Sequence, residues 1–453
     1  MNLINRGLNR VGIRLKRATC VLSGEGVENM NHELPKQTAT AAVNTVQVEA
    51  NPHTISSDAG TLVPLLAHEE LVRVRKEMPE IFERAAKKVA TGELGLIGWG
   101  LTLPRVQKLA PEHETKPWFF MGDIHGDFLA WHRLFSRVQQ VKDFRLCFLG
   151  DLIDRGPYDI ECFAAMLAAI ERYPNQIMWV MGNHDDGIRW NYTDQKFRVA
   201  GELAEGEADF VRWLNDPAGG LDKESVSTWG RLFVDVVRRL PRAALFSDGL
   251  LATHGGVPLA DRWEFLKTME SFHHERCLAD FTWTRIVNFA YSKEGWKYAP
   301  KVRKVSSSFE IGAKNLEGFC DAVSAVFPVK RVVRGHDPVE NGFEHPECYR
   351  QVPVLTLNGF GLDYMNSFSS RNYRKTLVLG VGQIGELPNV EAVSFLPEEY
   401  AGVYPLVLPV SEFNSAMPSK PTESVIDPVA IKPEVNVMND KVTVTSGKVG
   451  IDS

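Results

Sequence analysis

The sequence predicts a layered α/β fold, with two groups of strands facing one another and helices flanking them. Three observations point there. Between residues 118 and 181, short apolar runs alternate with helical stretches in a β-α-β-α-β rhythm. After a more helical region at 202–240, apolar runs return at 243–253, 331–333, 354–357 and 376–379, enough for a second sheet. Five of these runs end in a short loop carrying Asp, Asn or His beside glycine, the kind of loop that gathers at the carboxyl ends of strands in α/β sheets.

Taken in order, the chain opens on a basic stretch. Residues 1–22 hold Arg6, Arg10, Arg14, Lys16 and Arg17, and the first acid is Glu25. The stretch lacks the apolar centre of a secretory signal. It reads either as an amphipathic segment that contacts a membrane surface or partner or as a disordered basic start, and Met30 offers a second possible start. Residues 31–60 are polar and aperiodic and read as a linker, so 1–60 is expected to be flexible. From 61 to 115 a helical extension is expected. Leu71, Val74, Met78, Ile81 and Phe82 recur at helical spacing within 68–91, and Pro79 is expected to kink or divide that helix. The domain bearing the five loops runs from 116 to 396. Within it, 118–121, 145–149 and 177–181 are strands, and 128–138 and 158–172 are helices. Residues 397–453 lose periodicity and are expected to be a disordered tail.

Composition narrows the classes. A formal net charge of -6 and a hydrophobic fraction of 44% are those of an ordinary globular chain, and the mild acidity argues against nucleic acid as a partner. The six cysteines (Cys20, Cys147, Cys162, Cys277, Cys320 and Cys348) form no C-x-x-C pair, which fits reduced thiols in a cytoplasm. There is no apolar run of about 18 residues to span a membrane.

The five loops are Gly122-Asp123-Ile124-His125-Gly126, Gly150-Asp151-Leu152-Ile153-Asp154-Arg155-Gly156, Gly182-Asn183-His184-Asp185, Thr253-His254-Gly255-Gly256 and Arg334-Gly335-His336-Asp337. Any one of them alone would be an ordinary turn or helix cap. Five in order, each after a strand, point to one site. Carboxylate, amide oxygen and imidazole together suit Mn, Fe or Zn better than thiolate-loving metals, and two such cations about 3.5–4 Å apart can clamp a displacement at phosphorus. Other conspicuous residues have plainer readings. His273-His274 reads as an exposed pair on a helix, and Trp190, Trp213, Trp229 and Trp263 as core or groove wall. The glycine-rich stretch 92–100 lacks the Lys and Ser/Thr of a phosphate-binding loop.

The ordered set G-D-x-H-G, G-D-x-x-D-R-G, G-N-H-[D/E], H-G-G and R-[G/A]-H resembles the phosphoprotein phosphatase family of calcineurin-like metallophosphoesterases over residues 118–362. The resemblance implies a β-sandwich flanked by helices, and a metal-dependent serine/threonine-type protein phosphatase acting on phosphoserine or phosphothreonine. It implies two divalent metal ions, Mn foremost with Fe or Zn possible. Asp123, His125 and Asp151 would hold one; Asp151, Asn183, His254 and His336 would hold the other. A hydroxide bridging the two metals would attack phosphorus directly. Arg155 and Asn183 would contact the phosphate together with a second arginine, Arg303, with Arg334 as runner-up. His184 would protonate the leaving oxygen, oriented by Asp154. The third motif ends in Asp185 where eukaryotic members have Glu, and the eukaryotic Ser-Ala-Pro-Asn-Tyr loop is absent, which leans toward the bacterial-type branch. The rival readings are a dinucleoside tetraphosphate hydrolase or other nucleotide phosphodiesterase, in which the position of Asp154 is typically not Asp, and a catalytically dead scaffold, against which the full ligand set counts.

Overall fold

A computed structural model describes residues 67–99, 105–114, 116–200, 203, 208–217, 221–287, 297–298, 309–339, 342–361, 377–383 and 391–395. The basic start, the linker, Arg303 and the expected tail lie outside the described residues.

In chain order the elements are α1 (Ala67–Thr91), β1 (Val106–Lys108), α2 (Pro111–Glu114), β2 (Pro117–Met121), α3 (Phe128–Val138), β3 (Arg145–Phe148), α4 (Asp159–Arg172), β4 (Ile177–Trp179) and α5 (Asn183–Asp186). A hairpin follows, β5 (Ile188–Asn191) and β6 (Lys196–Val199), then α6 (Asp209–Asn215), α7 (Lys223–Val237), β7 (Ala243–Leu245) and β8 (Leu250–Thr253). Two 3-10 turns, Ala260–Phe265 and Glu270–His273, lead into α8 (Glu275–Trp283), β9 (Arg285–Ile286), β10 (Lys297–Tyr298), β11 (Phe309–Ile311) and α9 (Ala313–Val323). The last described strands are β12 (Arg331–Arg334), β13 (Phe343–Glu344), β14 (Val354–Leu357), β15 (Leu377–Gln383) and β16 (Glu391–Phe395).

Two sheets carry the fold: a five-stranded one, β16-β15-β2-β3-β4, and a six-stranded one, β1-β7-β8-β12-β14-β13. Their side chains alternate with the two-residue period of a strand. Trp118, Phe120, Cys147, Leu149, Met178 and Val180 from one sheet meet Ala252, Val333, Leu355 and Leu357 from the other in the core between them. The intervening residues Phe119, Met121, Leu146, Phe148 and Trp179 point outward, into a core shared with α1, α3, α4 and α7. On the far side of the six-stranded sheet, Leu251, Val332 and Val354 pack with Phe281, Leu316 and Phe319 of α8 and α9. The result is helix, sheet, sheet, helix.

The helices are set by amphipathic faces and local caps. Asp127 accepts the Ala130 amide at 3.0 Å to start α3, and Asp222 accepts that of Ser225 at 2.9 Å to start α7. α1 runs as one helix through Pro79, so the proline does not divide it. Losing one helical hydrogen bond there costs about 3 kcal/mol. Leu71, Val74, Met78, Ile81, Phe82, Ala85 and Val89 are all buried along one face, and each large apolar side chain contributes about 1.5–3 kcal/mol, so packing outweighs the break. The partly buried Arg75–Glu161 ion pair at 2.7 Å ties the helix to α4. Among the described residues, the helical region at 202–240 contains two helices, α6 and α7. Among the described residues, no helix is long and apolar enough to cross a membrane.

Candidate metal centre

Six strands, three from each sheet, end at one place. β2, β3 and β4 run parallel and lead into Asp123, Asp151 and Asn183. β8, β12 and β14 run parallel and lead into His254, His336 and Asn358. The sheets are stitched together there by a bridge between Asp123 and Asn358, and the Asp123 carbonyl accepts the amides of Gly359 and Phe360 at 3.0 and 2.8 Å. The loops are sterically tight. A methyl group on Gly182 would sit 2.1 Å from Asp151 N, and one on Gly335 would sit 2.2 Å from Asp123 Oδ1. His125, Asp151, Asp154, Arg155 and His336 all have φ between 49° and 76°, in the left-handed region that such residues seldom adopt. Among the described residues three other non-glycine positions share it, so the backbone strain concentrates where the chemistry would be.

The donor atoms converge. Asn183 Oδ1 lies 2.9 Å from His254 Nε2 and 2.7 Å from His336 Nδ1. The two imidazole nitrogens are 3.2 Å apart, and Asp151 Oδ2 is 3.3 Å from His254 Nε2. On the other side of Asp151, His125 Nε2 lies 3.5 Å from the same carboxylate oxygen and 3.7 Å from Asp123 Oδ2. Asp151 therefore stands between two donor groups. Each ring is aimed by its other nitrogen or by backbone: His125 Nδ1 by the Ile153 carbonyl at 2.9 Å, His254 Nδ1 by that of Leu149 at 2.7 Å, and His336 by its own amide on Asp123 Oδ1 at 2.9 Å.

The electrostatics fit a cation. Burial, then Arg155, holds His125 well below its ordinary pKa; burial, then Arg285, does the same to His336. Both are thus neutral, the ligating form of imidazole. Burial would raise Asp151, but His254 and His184 beside it hold its carboxyl well below the usual range, so it is ionised. Burial pushes Asp123 up to about 7. His254 is held up to about 9 by Asp151 and Asp123 against its burial. In both, a cation would displace a proton, as metal binding to buried ligands does. Convergent, desolvated O and N donors with no sulfur among them are a set that fits divalent Mn, Fe or Zn.

Beside this cluster, His184 Nδ1 lies 2.9 Å from Asp154 Oδ2, with both side chains buried. Asp154 Oδ1 accepts the Phe210 amide at 2.9 Å, so the carboxylate is fixed from both sides. The His184 ring meets His125 edge-on, with centroids 4.8 Å apart. Arg155 Nη1 lies 3.0 Å from His125 Nε2, at the mouth of the same group. Of the ten residues singled out from sequence, nine come together here. Arg303 lies outside the described residues.

Arg334, the other candidate for the second arginine, is fully buried. It ion-pairs with Asp337 and donates to the Gly335 carbonyl at 3.1 Å. Its guanidinium is committed to shaping its own loop, which removes it from phosphate binding. Asp337 also pairs with Arg285, which is partly exposed. Arg285 follows Thr284, whose carbonyl lies against Gly255 and Gly256, and its charge acts on His336. Arg285 sits 49 positions ahead of Arg334 and outside the five motifs, so sequence reasoning passed over it. Asp185 was read only as a departure from Glu. Its carboxylate accepts the amides of Asp151, Leu152 and Gly182 at 3.0, 3.1 and 3.1 Å, clamping the second and third loops together. Burial, then the charge of Asp151, pushes it up to about 7. Asp127 similarly joins the first loop to the stretch after β14, accepting the Gly361 amide at 2.8 Å.

The profile of the calcineurin-like phosphoesterases matches residues 117–340. A serine/threonine-protein phosphatase of Caenorhabditis elegans is 26% identical over 261 residues, covering 55% of this chain and 48% of the relative. A putative serine/threonine-protein phosphatase of the same organism is 25% identical over 253 residues, covering 54% of this chain and 60% of the relative. The chain thus spans about half the length of these relatives. Among solved structures, a serine/threonine phosphatase from Saccharomyces cerevisiae overlaps 74% of this chain and 91% of its own, at 15% identity and a TM-score of 0.44.

Proposed function

We propose that this chain, whose residues 117–340 match the profile of the calcineurin-like phosphoesterases, is a metal-dependent phosphomonoesterase acting on phosphoserine and phosphothreonine in proteins, with 116–396 as its catalytic domain. The observation that carries the protein-substrate reading is the buried His184–Asp154 pair at 2.9 Å. An alkoxide of serine is a poor leaving group and needs a proton as the ester bond breaks. His184, with Nδ1–H donated to Asp154, presents Nε2 to deliver that proton, and the carboxylate stabilises the imidazolium.

Asp123, His125 and Asp151 would hold one divalent cation, and Asp151, Asn183, His254 and His336 the other. When bound, the cations supply Lewis-acid polarisation of the phosphoryl group and lower the pKa of water, so no side chain has to serve as nucleophile. Arg155 and Asn183 orient the phosphate, the guanidinium through paired hydrogen bonds. Arg303 would be the second arginine at the phosphate, and the partly exposed Arg285, whose charge acts on His336, is a further candidate for that role. The hydrogen bonds and tight packing of the loops hold these groups in position before substrate arrives, against the cost of their left-handed backbone. The buried thiols of Cys147, Cys162, Cys277 and Cys320 form no disulfide, which fits a reducing, cytoplasmic setting.

The test is a hydrolysis panel with Mn present, comparing phosphoserine and phosphothreonine peptides, nitrophenyl phosphate and dinucleoside tetraphosphate. The proposal expects the phosphopeptides to be turned over with the highest kcat/KM. Preference for the dinucleotide would move the chain to the nucleotide branch, and failure on every ester would favour a scaffold.

A further inference from the structure

Behind the third and fourth loops lies a cavity of about 830 Å³ that includes none of the proposed metal ligands. It adjoins the loops that carry them through Met181, just before the third loop, through Asp186, two residues after His184, and through Thr284 beside Gly255. Its lining is unusually basic for a chain whose formal net charge is -6. Six arginines face three acids, an excess of three positive charges.

The pairing shows which arginines are committed. Asp186 takes Arg242 at 2.9 Å and Arg189 at 2.8 Å. Asp280 takes Arg262 at 2.8 Å and the Leu259 amide at 3.0 Å. That leaves Arg105, Arg238 and Arg276 with no ion pair among the described residues. The third acid, Glu275, has none either. Arg105 donates instead to the Arg238 carbonyl at 2.7 Å, and Asp235 one turn back on α7 attracts Arg238 only at longer range. The Nε of Arg242 is buried without a partner. Burial, then Arg242 beside it, pushes the Arg105 guanidinium below its ordinary pKa. Like charges crowded in a half-closed space are costly unless an anion joins them.

We propose that this cavity is a binding site for a small anion bearing several phosphate groups, separate from the catalytic centre. Guanidinium forks match phosphate oxygens in pairs. The three uncommitted arginines stand on three different elements, just before β1, at the end of α7 and in the first turn of α8. A single phosphate would not answer all three. The volume is that of a small-molecule pocket, roughly 300–1,000 Å³, which favours a compact ligand over a stretch of protein.

The test uses the full-length, manganese-loaded protein and inositol hexasulfate, a polyanion whose sulfate esters a phosphoesterase is not expected to cleave. Isothermal titration calorimetry on the wild type should show one equivalent bound. Arg155→Gln, altered at the catalytic centre, should bind it equally well. The double variant Arg105→Gln/Arg276→Gln, which removes two of the three uncommitted guanidinium groups, should bind at least about tenfold more weakly. Arg276→Glu alone should weaken it further than Arg276→Gln while keeping the wild-type thermal midpoint, because Arg276 is exposed. A doubly phosphorylated peptide that shows a raised KM with the double variant, when hexasulfate binds neither protein, would assign the charge to substrate and overturn the proposal. Equal hexasulfate affinity in wild type and double variant would also overturn it, as would loss of binding in Arg155→Gln.

Discussion

Replacing His184 by Asn separates a proton donor from a metal ligand. The imidazole is tied by Nδ1 to Asp154 at 2.9 Å, and both groups are buried. One tautomer is therefore fixed, and only Nε2 is left to act. A positioned general acid contributes about 10²–10⁴-fold. The variant should lose that much in kcat on a phosphoserine peptide, whose alkoxide must be protonated as it leaves. On nitrophenyl phosphate, whose phenolate departs unaided, the loss should be far smaller. Asp154→Asn keeps an acceptor for the Phe210 amide but loses the charge facing His184. A charge-assisted hydrogen bond is worth roughly 1.5–3 kcal/mol, so about a ten- to hundredfold loss with the same substrate dependence is expected. The assay is steady-state kinetics on both substrates, with elemental analysis of each variant. His184 also lies close enough to His125 and Asp151 to join them around a cation. If it did, both substrates would slow equally and bound metal would fall, which would refute the acid role.

Three further outcomes follow from the same geometry. Asp151→Asn should be nearly inactive and bind less metal, because Asp151 stands between both donor groups; elemental analysis finding two metals per chain would remove it from that position. Asp185→Ala strips the acceptor from three backbone amides. At about 1–3 kcal/mol for each unsatisfied group, urea unfolding should show a loss of roughly 3 kcal/mol or more, and an unchanged midpoint would show the clamp to be dispensable. Asp186 titrates at about 2, held down by Arg242 and Arg189 against its burial. A depressed carboxyl contributes stability that is complete above its unfolded value near 3.8 and is lost as pH falls through 2. The shift corresponds to about 2–3 kcal/mol. Asp186→Asn should therefore flatten that part of the acid unfolding curve, and a variant as acid-sensitive as the wild type would assign the loss elsewhere.

The parts of this fold that could be read from sequence are those with a strong period or a chemical signature. The strands at 118–121, 145–148 and 177–179 were legible because alternate residues face two different cores. The loops after them were legible because glycine and ligand residues cluster where strands end. Two-residue strands such as β9, β10 and β13 are too short to show a period. The hairpin of β5 and β6 has no glycine at its Thr193-Asp194-Gln195 turn to announce it; Trp190, read as core or groove wall, packs there on Phe197 with ring centroids 4.7 Å apart and against the main core. Pro79 reads locally as a break, and only the tertiary burial of Met78, Ile81 and Phe82 on both sides of it explains the unbroken helix. Asp185 and Arg285 work through partners 33 to 52 positions away in the chain, and no local pattern announces such pairings.

The central claim is that turnover needs cations held by Asp123, His125, Asp151, Asn183, His254 and His336. The most direct measurement is phosphopeptide hydrolysis by protein stripped with a chelator, then titrated with Mn and, in parallel, with Mg. The account predicts no turnover when stripped and recovery that Mn supports better than Mg, because half of the ligands are imidazole. Full turnover by the metal-free protein would contradict it.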